Sequence, residues 1–261
     1  MKSRHHSIRW VYVANVPQNA SGQFIELSDT KTSHLRTVLR LSPGDEVRAI
    51  DGQGSCYRGL IEKGPGKSWG VRFQERVLQH QRPSHLELLI GFPKNKTMDW
   101  IVEKAVECGV TAIRPILTSR SVVMPDPSEL GKYVLRWEGI AGEALEQSQQ
   151  TWMPSIDQPR EWLEMIESES KTGLESAGRF VFASEARHES TLGNALSLMK
   201  QQSQTRAIKL LIGPEGGFSL EERSDLKRAG YQELSLGSGI LRVETAVLTA
   251  LTLGRICLES D

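Results

Sequence analysis

The sequence predicts an α/β protein with a small β-rich head in front of a larger domain built on a parallel sheet. Three observations predict it. Short β-prone runs separated by turn residues continue to about residue 78; after a linker at residues 79–84, apolar strands alternate with helical periodicity; and near the carboxyl end two glycine turns each join a strand to a helix. At 261 residues, with 38% hydrophobic and 25% charged residues, the chain suits two modest folded domains, placed at residues 1–78 and 85–261, and not a disordered or fibrous protein.

In the head, residues 10–13, 46–50, 57–61 and 69–77 read as strands. The turns Ser42-Pro43-Gly44-Asp45 and Asp51-Gly52-Gln53-Gly54 lie between them, and this close spacing suggests a small barrel. Residues 33–41 interrupt it as a helix, with Leu35, Val38 and Leu39 on one face and Arg36 and Arg40 on another. Those arginines can contact RNA phosphates or stand as ordinary solvated charge.

In the second domain, residues 86–90 form an apolar strand, residues 98–106 a helix closed by Gly109, and residues 113–117 another strand. Residues 133–150 read as helical, 180–183 and 208–212 as strands, and 164–178 as a surface segment without assigned function. Strands alternating with helices imply a parallel sheet covered on both faces. On the 133–150 helix, Glu143, Glu146, Gln147 and Gln150 share a polar face opposite Ile140, Ala144, Leu145 and Ser148, which by pattern alone is a solvated face or a functional one.

Formal net charge is zero, but residues 1–80 hold 12 Lys and Arg against 7 Asp and Glu, while the rest hold 20 against 25. A basic head on an acidic body is compatible with phosphate attraction by the head. The three cysteines are far apart and in no C-x-x-C pair, and the six histidines form no helix-spaced ligand pair, so no metal is expected. Apolar runs such as 86–92 and 246–253 fall short of the roughly 20 residues a membrane helix needs. The basic start lacks an apolar segment with a cleavage site, so a cytoplasmic location and no membrane partner are expected.

The most informative residues come late. The strand 208–212 runs into Gly213-Pro214-Glu215-Gly216-Gly217-Phe218, then Ser219, whose Ser-x-x-Glu spacing to Glu222 is a capping box. A second strand, 233–236, runs through Gly237-Ser238-Gly239 into Ile240-Leu241-Arg242-Val243-Glu244-Thr245-Ala246 and a last helix. Glycine turns at the carboxyl ends of parallel strands are where α/β folds take cofactors. Neither loop has the Lys-Ser/Thr ending of an ATP-binding loop or the third glycine of a dinucleotide fingerprint.

These blocks resemble the RsmE-type 16S ribosomal RNA (uracil-N3)-methyltransferases of the SPOUT class. The resemblance covers nearly the whole chain: His34 to Leu41 with Gly44-Asp45 and Asp51-Gly52; Pro93-Lys94 through Met98 with Glu103-Lys104-Ala105 and Gly109-Val110; Arg120-Ser121-Val122-Val123; Arg136-Trp137, Glu143-Ala144 and Glu146-Gln147-Ser148; and the two glycine loops. It implies a PUA-like β-barrel that binds RNA, followed by a SPOUT α/β domain whose carboxyl-terminal segment threads a trefoil knot. It further implies a homodimer acting on 16S ribosomal RNA of the small subunit, with S-adenosylmethionine as methyl donor and no metal.

Residue by residue, the resemblance places the donor on Leu211, Gly213, Pro214, Glu215, Gly216, Gly217, Leu236, Gly237, Ile240 and Leu241. It makes Arg242, Glu143 and Glu146 the catalytic candidates, and Arg36, Arg40, Lys94 and Lys104 the RNA-binding ones. Uracil N3 is a poor nucleophile while protonated, so a base or a cation that stabilises the anion is the chemistry required. Two departures stand out: Ser238 and Gly239 replace the Pro-Arg of the usual second loop, and Gln150 replaces an arginine. They leave open a non-catalytic RNA-binding or ribosome-assembly protein on the same scaffold, or methylation of another RNA nucleotide.

Overall fold

The computed structural model describes residues 8–121, 124–171, 177–182, 191–202 and 207–259. The chain divides into two units, one of Met1–Arg82 with Gly142–Met153, the other of Pro83–Ala141 with Pro154–Asp261. Val122, Val123, Ala183 and part of the 164–178 segment lie outside the described residues.

The first unit holds β1 (Arg9–Tyr12), β2 (Phe24–Glu26), α1 (Asp29–Thr37), β3 (Glu46–Ile50), β4 (Ser55–Lys63) and β5 (Trp69–Gln79). They form a five-stranded sheet in the order β1-β3-β4-β5-β2, antiparallel except for the parallel β1–β3 pair. Alternation decides what is inside: Val47 and Ala49 on β3, Ile61 on β4, and Val71 and Phe73 on β5 are wholly buried, and Leu35 of α1 closes the core. The β3–β4 turn is held by the Asp51 carboxylate, whose Oδ1 accepts from the amides of Gln53 at 2.7 Å and Ser55 at 2.9 Å.

The predicted helix at 33–41 is displaced. Ser28 accepts from the Lys31 amide and starts α1 four residues earlier, and the helix ends at Thr37, with Arg40 in the left-handed region at φ 54°. Val38, expected on the apolar face, is 62% exposed. The side-chain oxygen of Ser28 supplied a start signal that apolar periodicity alone overlooked.

The second unit holds β6 (His85–Gly91), α2 (Asn95–Glu107), β7 (Ala112–Leu117), the first part of α3 (Leu130–Ser148), β8 (Ser155–Ile156), β9 (Arg160–Glu161), α4 (Trp162–Lys171), β10 (Gly178–Phe182), α5 (Leu192–Gln202), β11 (Ala207–Ile212), α6 (Leu220–Arg228), β12 (Gln232–Leu234) and α7 (Val243–Leu258). The sheet runs β12-β10-β11-β6-β7-β8, with β9 also on β7, and every pair is parallel. Central strands buried on both faces are near-continuous apolar runs, as in Leu88-Leu89-Ile90 and Leu210-Leu211-Ile212. Each such side chain contributes roughly 1.5–3 kcal/mol on leaving water.

The 164–178 segment is not merely surface. Its first part is α4, which buries Met165 and Glu169. Glu169 Oε1 accepts from Lys209 Nζ at 2.6 Å and Oε2 from the Tyr231 hydroxyl at 3.2 Å. On the same sheet face Lys209 lies opposite Glu87, and Glu87 also accepts from His85 Nε2 at 3.0 Å and Arg114 Nε at 3.1 Å. Lys209, Glu169 and Glu87 are each below 10% exposed, so the ions are stabilised by one another and not by water.

Breaking such a group on one side leaves a buried charge with fewer partners. Lys209→Met is therefore expected to lower unfolding free energy by about 3–5 kcal/mol. Adding Glu169→Leu to it should recover part of that loss, as read from urea midpoints.

Acid should expose the same network. Burial by itself raises the Glu87 pKa, but the His85 hydrogen bond and the charges of Lys209 and Arg114 outweigh it and hold the carboxyl below its ordinary 4.5. A depressed carboxylate favours the folded state above its unfolded pKa, and that contribution fades as the pH falls through the folded value. Stability measured against pH should decline below 4.5, and Glu87→Gln should lower the neutral plateau and flatten that decline.

Candidate functional site

Because β6, β10, β11 and β12 are parallel, their carboxyl ends meet at one edge of the sheet, where α/β folds present ligand sites. A cavity of about 570 Å³ opens there. That is within the roughly 300–1,000 Å³ that encloses a small organic ligand. Its wall is made by Phe182 at the end of β10, Ile212 at the end of β11, both glycine loops, and Lys94 and Thr97 at the start of α2.

The first loop is folded by its own sequence. Gly217 donates its amide to Pro214 O at 2.8 Å, and Ser219 and Glu222 form the predicted capping box at the start of α6. Glu222 also reaches outward: while Oε2 accepts from the Ser219 amide, Oε1 accepts from the Ser119 amide at 2.7 Å, tying the turn after β7 to the loop. From that turn Arg120 Nη1 donates to Gly216 O at 2.9 Å. On the other side β6 must end in glycine, since a Cβ on Gly91 would stand 2.4 Å from Pro214 Cδ.

The second loop follows β12. Ser235 Oγ accepts from the Gly237 amide and donates to Gly237 O, closing a tight turn in which Gly237 takes φ 118°, a conformation that L side chains rarely adopt. Arg242 is the residue capping α7, and the cavity therefore looks onto the amino end of that helix. Such an end favours negative charge. Ionisable groups around the cavity are Lys94 and Arg242 on one side of the balance and Glu215 and Glu244 on the other.

Of the residues assigned to the donor, Gly213, Pro214, Glu215, Gly217, Leu236, Gly237, Ile240 and Leu241 line the cavity. Leu211 does not: it is fully buried in the core with Leu89, Ile116 and Trp162. Gly216 faces Arg120. Phe182, Phe218, Ser235 and Val243 also line it without having been assigned to the donor; Phe218, Ser235 and Val243 stand within four residues of a loop glycine, a signal present in the sequence, whereas Phe182 is brought there only by the pairing of β10 with β11 and β12.

Among the other assigned residues, Arg242 and Lys94 line the cavity and are exposed. Lys104 lies on α2 between Glu103 and Glu107, each 2.8 Å from its ammonium, so its charge is largely neutralised within the helix. Glu143 and Glu146 belong to the first unit. Glu143 is exposed, whereas Glu146 accepts from the Tyr12 amide at 2.6 Å and pairs with Lys31. Burial pushes the Glu146 carboxyl up, and Lys31 and the Tyr12 amide pull it part of the way back. Gln150, expected on the same helical face, lies beyond the end of α3, past Gln149 at φ 58°. Arg36 and Arg40 are exposed on the first unit. No cluster of three or more metal-ligating side chains occurs among the described residues.

Known proteins share this arrangement. The RNA methyltransferase domain family matches residues 80–254, and the RNA methyltransferase PUA domain family matches residues 27–68. Ribosomal RNA small subunit methyltransferase E of Synechocystis sp. is 33% identical over 247 residues, covering 92% of this chain and 77% of its own length. Among solved structures, the enzyme of that name from Neisseria gonorrhoeae bound to S-adenosyl methionine is 26% identical with a TM-score of 0.77, covering 94% of this chain and 96% of its own. A Legionella pneumophila protein described as a methyltransferase, in complex with the cofactor SAM, is 28% identical with a TM-score of 0.80, covering 95% and 98%. With the family match spanning well over half its length, from the linker to the last helix, the chain belongs to the RNA methyltransferase family.

Proposed function

We propose that this protein transfers the methyl group of S-adenosylmethionine to N3 of a specific uridine in the 16S ribosomal RNA of the small subunit. The observation that carries the reading is the cavity at the carboxyl edge of the parallel sheet, walled by two glycine loops in a chain of the RNA methyltransferase family. Relatives named for ribosomal RNA small subunit methylation, and similar structures solved with the donor, support it. Under this reading residues 1–78 act as a PUA-like RNA-binding barrel and 85–261 as a SPOUT-type donor-binding domain with a carboxyl-terminal trefoil knot. The protein works as a homodimer in the cytoplasm; no described helix is long and apolar enough to cross a membrane.

The residues present suit the donor. Phe182, Leu236, Leu241 and Ile240, the last 66% exposed, offer an apolar wall for a purine, and Gly213 and Gly237 let backbone polar groups approach a ribose. Glu215 and Glu244 offer carboxylates to the cationic end. S-adenosylmethionine supplies an electrophilic methyl carbon when bound.

The chain's part is to hold the acceptor in line and to handle the N3 proton. Arg242, capping α7, is suited to stabilise the uracil anion as negative charge develops. Of the two α3 carboxylates that the resemblance offers as the base, Glu143 is exposed, while Glu146 is engaged by Tyr12 and Lys31 and serves to anchor the helix end; neither lines the cavity.

Labelled S-adenosylmethionine incubated with small subunits lacking the modification should label a single uridine as N3-methyluridine after nucleoside digestion. Donor binding without transfer would redirect the search to another nucleotide, and no donor binding by calorimetry would favour the non-catalytic scaffold.

Two variants should separate binding from chemistry. Arg242→Ala should lower kcat by about 10²–10³ with donor affinity nearly unchanged. Gly237→Val, forced into a left-handed backbone at a strain of about 1–3 kcal/mol, should instead weaken donor binding in calorimetry.

A further inference from the structure

We infer that Arg36, laid over the Trp69 indole, is a stacking site for an unpaired RNA base, with Lys63 and Lys67 taking the adjoining phosphates. The inference rests on the RNA-methylating reading and says which form of RNA the first unit grips.

The Arg36 guanidinium carbon lies 5.8 Å from the Trp69 ring centroid, within cation–π range. Its support is built in: the Trp69 amide donates to Thr32 Oγ1 at 3.2 Å, fixing the start of β5 to α1, and Trp69 packs against the core while remaining partly exposed. Lys63 sits directly opposite Trp69 across the β4–β5 pair, so both side chains leave the same face of the ladder. Lys67 is exposed in the hairpin that joins those strands.

Some cations of this unit are paired and others, Arg9, Arg40, Arg76 and Arg82 among them, have no carboxylate partner among the described residues. Lys31, Arg48, Arg58 and Arg72 each have a carboxylate partner. Among the described residues none pairs with Arg36, Lys63 or Lys67. A cation without a carboxylate keeps its full attraction for phosphate. A guanidinium over an indole can offer its plane to a base, as arginine and aromatic planes do in single-stranded RNA recognition. A duplex keeps its bases inside the stack and cannot use that face.

The test measures binding of the full chain to small ribosomal subunits, to protein-free 16S RNA, and to a short unpaired RNA beside its duplex, across a salt series. Arg36→Ala should weaken binding to the unpaired RNA about 5- to 30-fold, the loss of one stacked base. Arg36→Lys keeps the charge and so should keep the salt slope, yet should lose most of the preference for unpaired over paired RNA. Trp69→Leu should behave like Arg36→Lys; since Trp69 touches the core, the exposed Arg36 variants carry the test if it fails to fold.

Arg36→Lys indistinguishable from the unaltered protein on all RNAs would overturn the stacking site, leaving a plain charge. If the unaltered protein bound none of these RNAs while binding S-adenosylmethionine, the RNA reading itself would fall, and the stacking site with it.

Discussion

The common direction of the second unit's strands is the constraint from which its site follows. Parallel strands deliver all their carboxyl ends to one edge, so the turns after β6, β11 and β12 leave the sheet on the same side. There the backbone reverses in little space. Gly91 allows the first loop's Pro214 to lie against β6, and Gly237 reverses the chain after β12. The cavity is the space left between these reversals. Glu222 then gives that space a fixed shape, because one carboxylate binds the amides of Ser219 and Ser119 and so joins the start of α6 to the turn after β7. A neutral side chain there would satisfy both donors less strongly, since hydrogen bonds to an ionised acceptor are the stronger kind.

Charge is used in two opposite ways that a net value of zero conceals. Across the sheet face under α4, Lys209, Glu169, Glu87 and Arg114 are withdrawn from water and hold one another. Tyr231 joins them as a neutral donor, since burial first and the Glu169 charge next keep its hydroxyl protonated. These groups act on stability and on acid sensitivity. Elsewhere Arg36, Lys63 and Lys67 on the first unit are exposed cations that no described carboxylate pairs with. Such charges add little to folding and remain free to attract a polyanion.

Much of this was legible in the sequence because the signals were local. Ser219 and Glu222 announce α6 by a capping box, and the apolar run around Leu210 announces a strand buried on both faces. The glycine loops were readable as cavity walls for the same reason. What was not legible depended on distant partners. Glu169 sits in a segment whose Glu and Ser content reads as solvated, and only its pairing with Lys209, 40 residues away, takes it inside. Glu146 shares helical spacing with Glu143, yet Tyr12 and Lys31, more than a hundred residues earlier, bury one and not the other. With these contacts, the Gln53–Trp152 bridge and the Met153-to-Gly52 hydrogen bond also tie Gly142–Met153 to the first unit, a membership that no composition break marks. Leu211 shows the converse error: adjacency to a binding loop does not turn a strand residue toward it, because alternate side chains point to opposite faces.

The second loop's departure from the pattern it resembles has a physical reading. Gly239 stands where an arginine is usual, yet a Cβ built on it meets nothing within 4 Å, and its backbone is not left-handed. An arginine would fit there, so steric exclusion does not explain the glycine. What changes is the field: with that cation gone, Lys94 and Arg242 face Glu215 and Glu244, and the ionisable groups around the cavity balance two against two. A balanced rim can still stabilise charge that develops beside Arg242, because that effect is short-ranged and reinforced by the end of α7. Long-range attraction of a phosphate chain depends instead on uncompensated charge. Arg36, Lys63 and Lys67, around Trp69 on the first unit, are among the described cations without a carboxylate partner, whereas the ionisable groups lining the cavity balance.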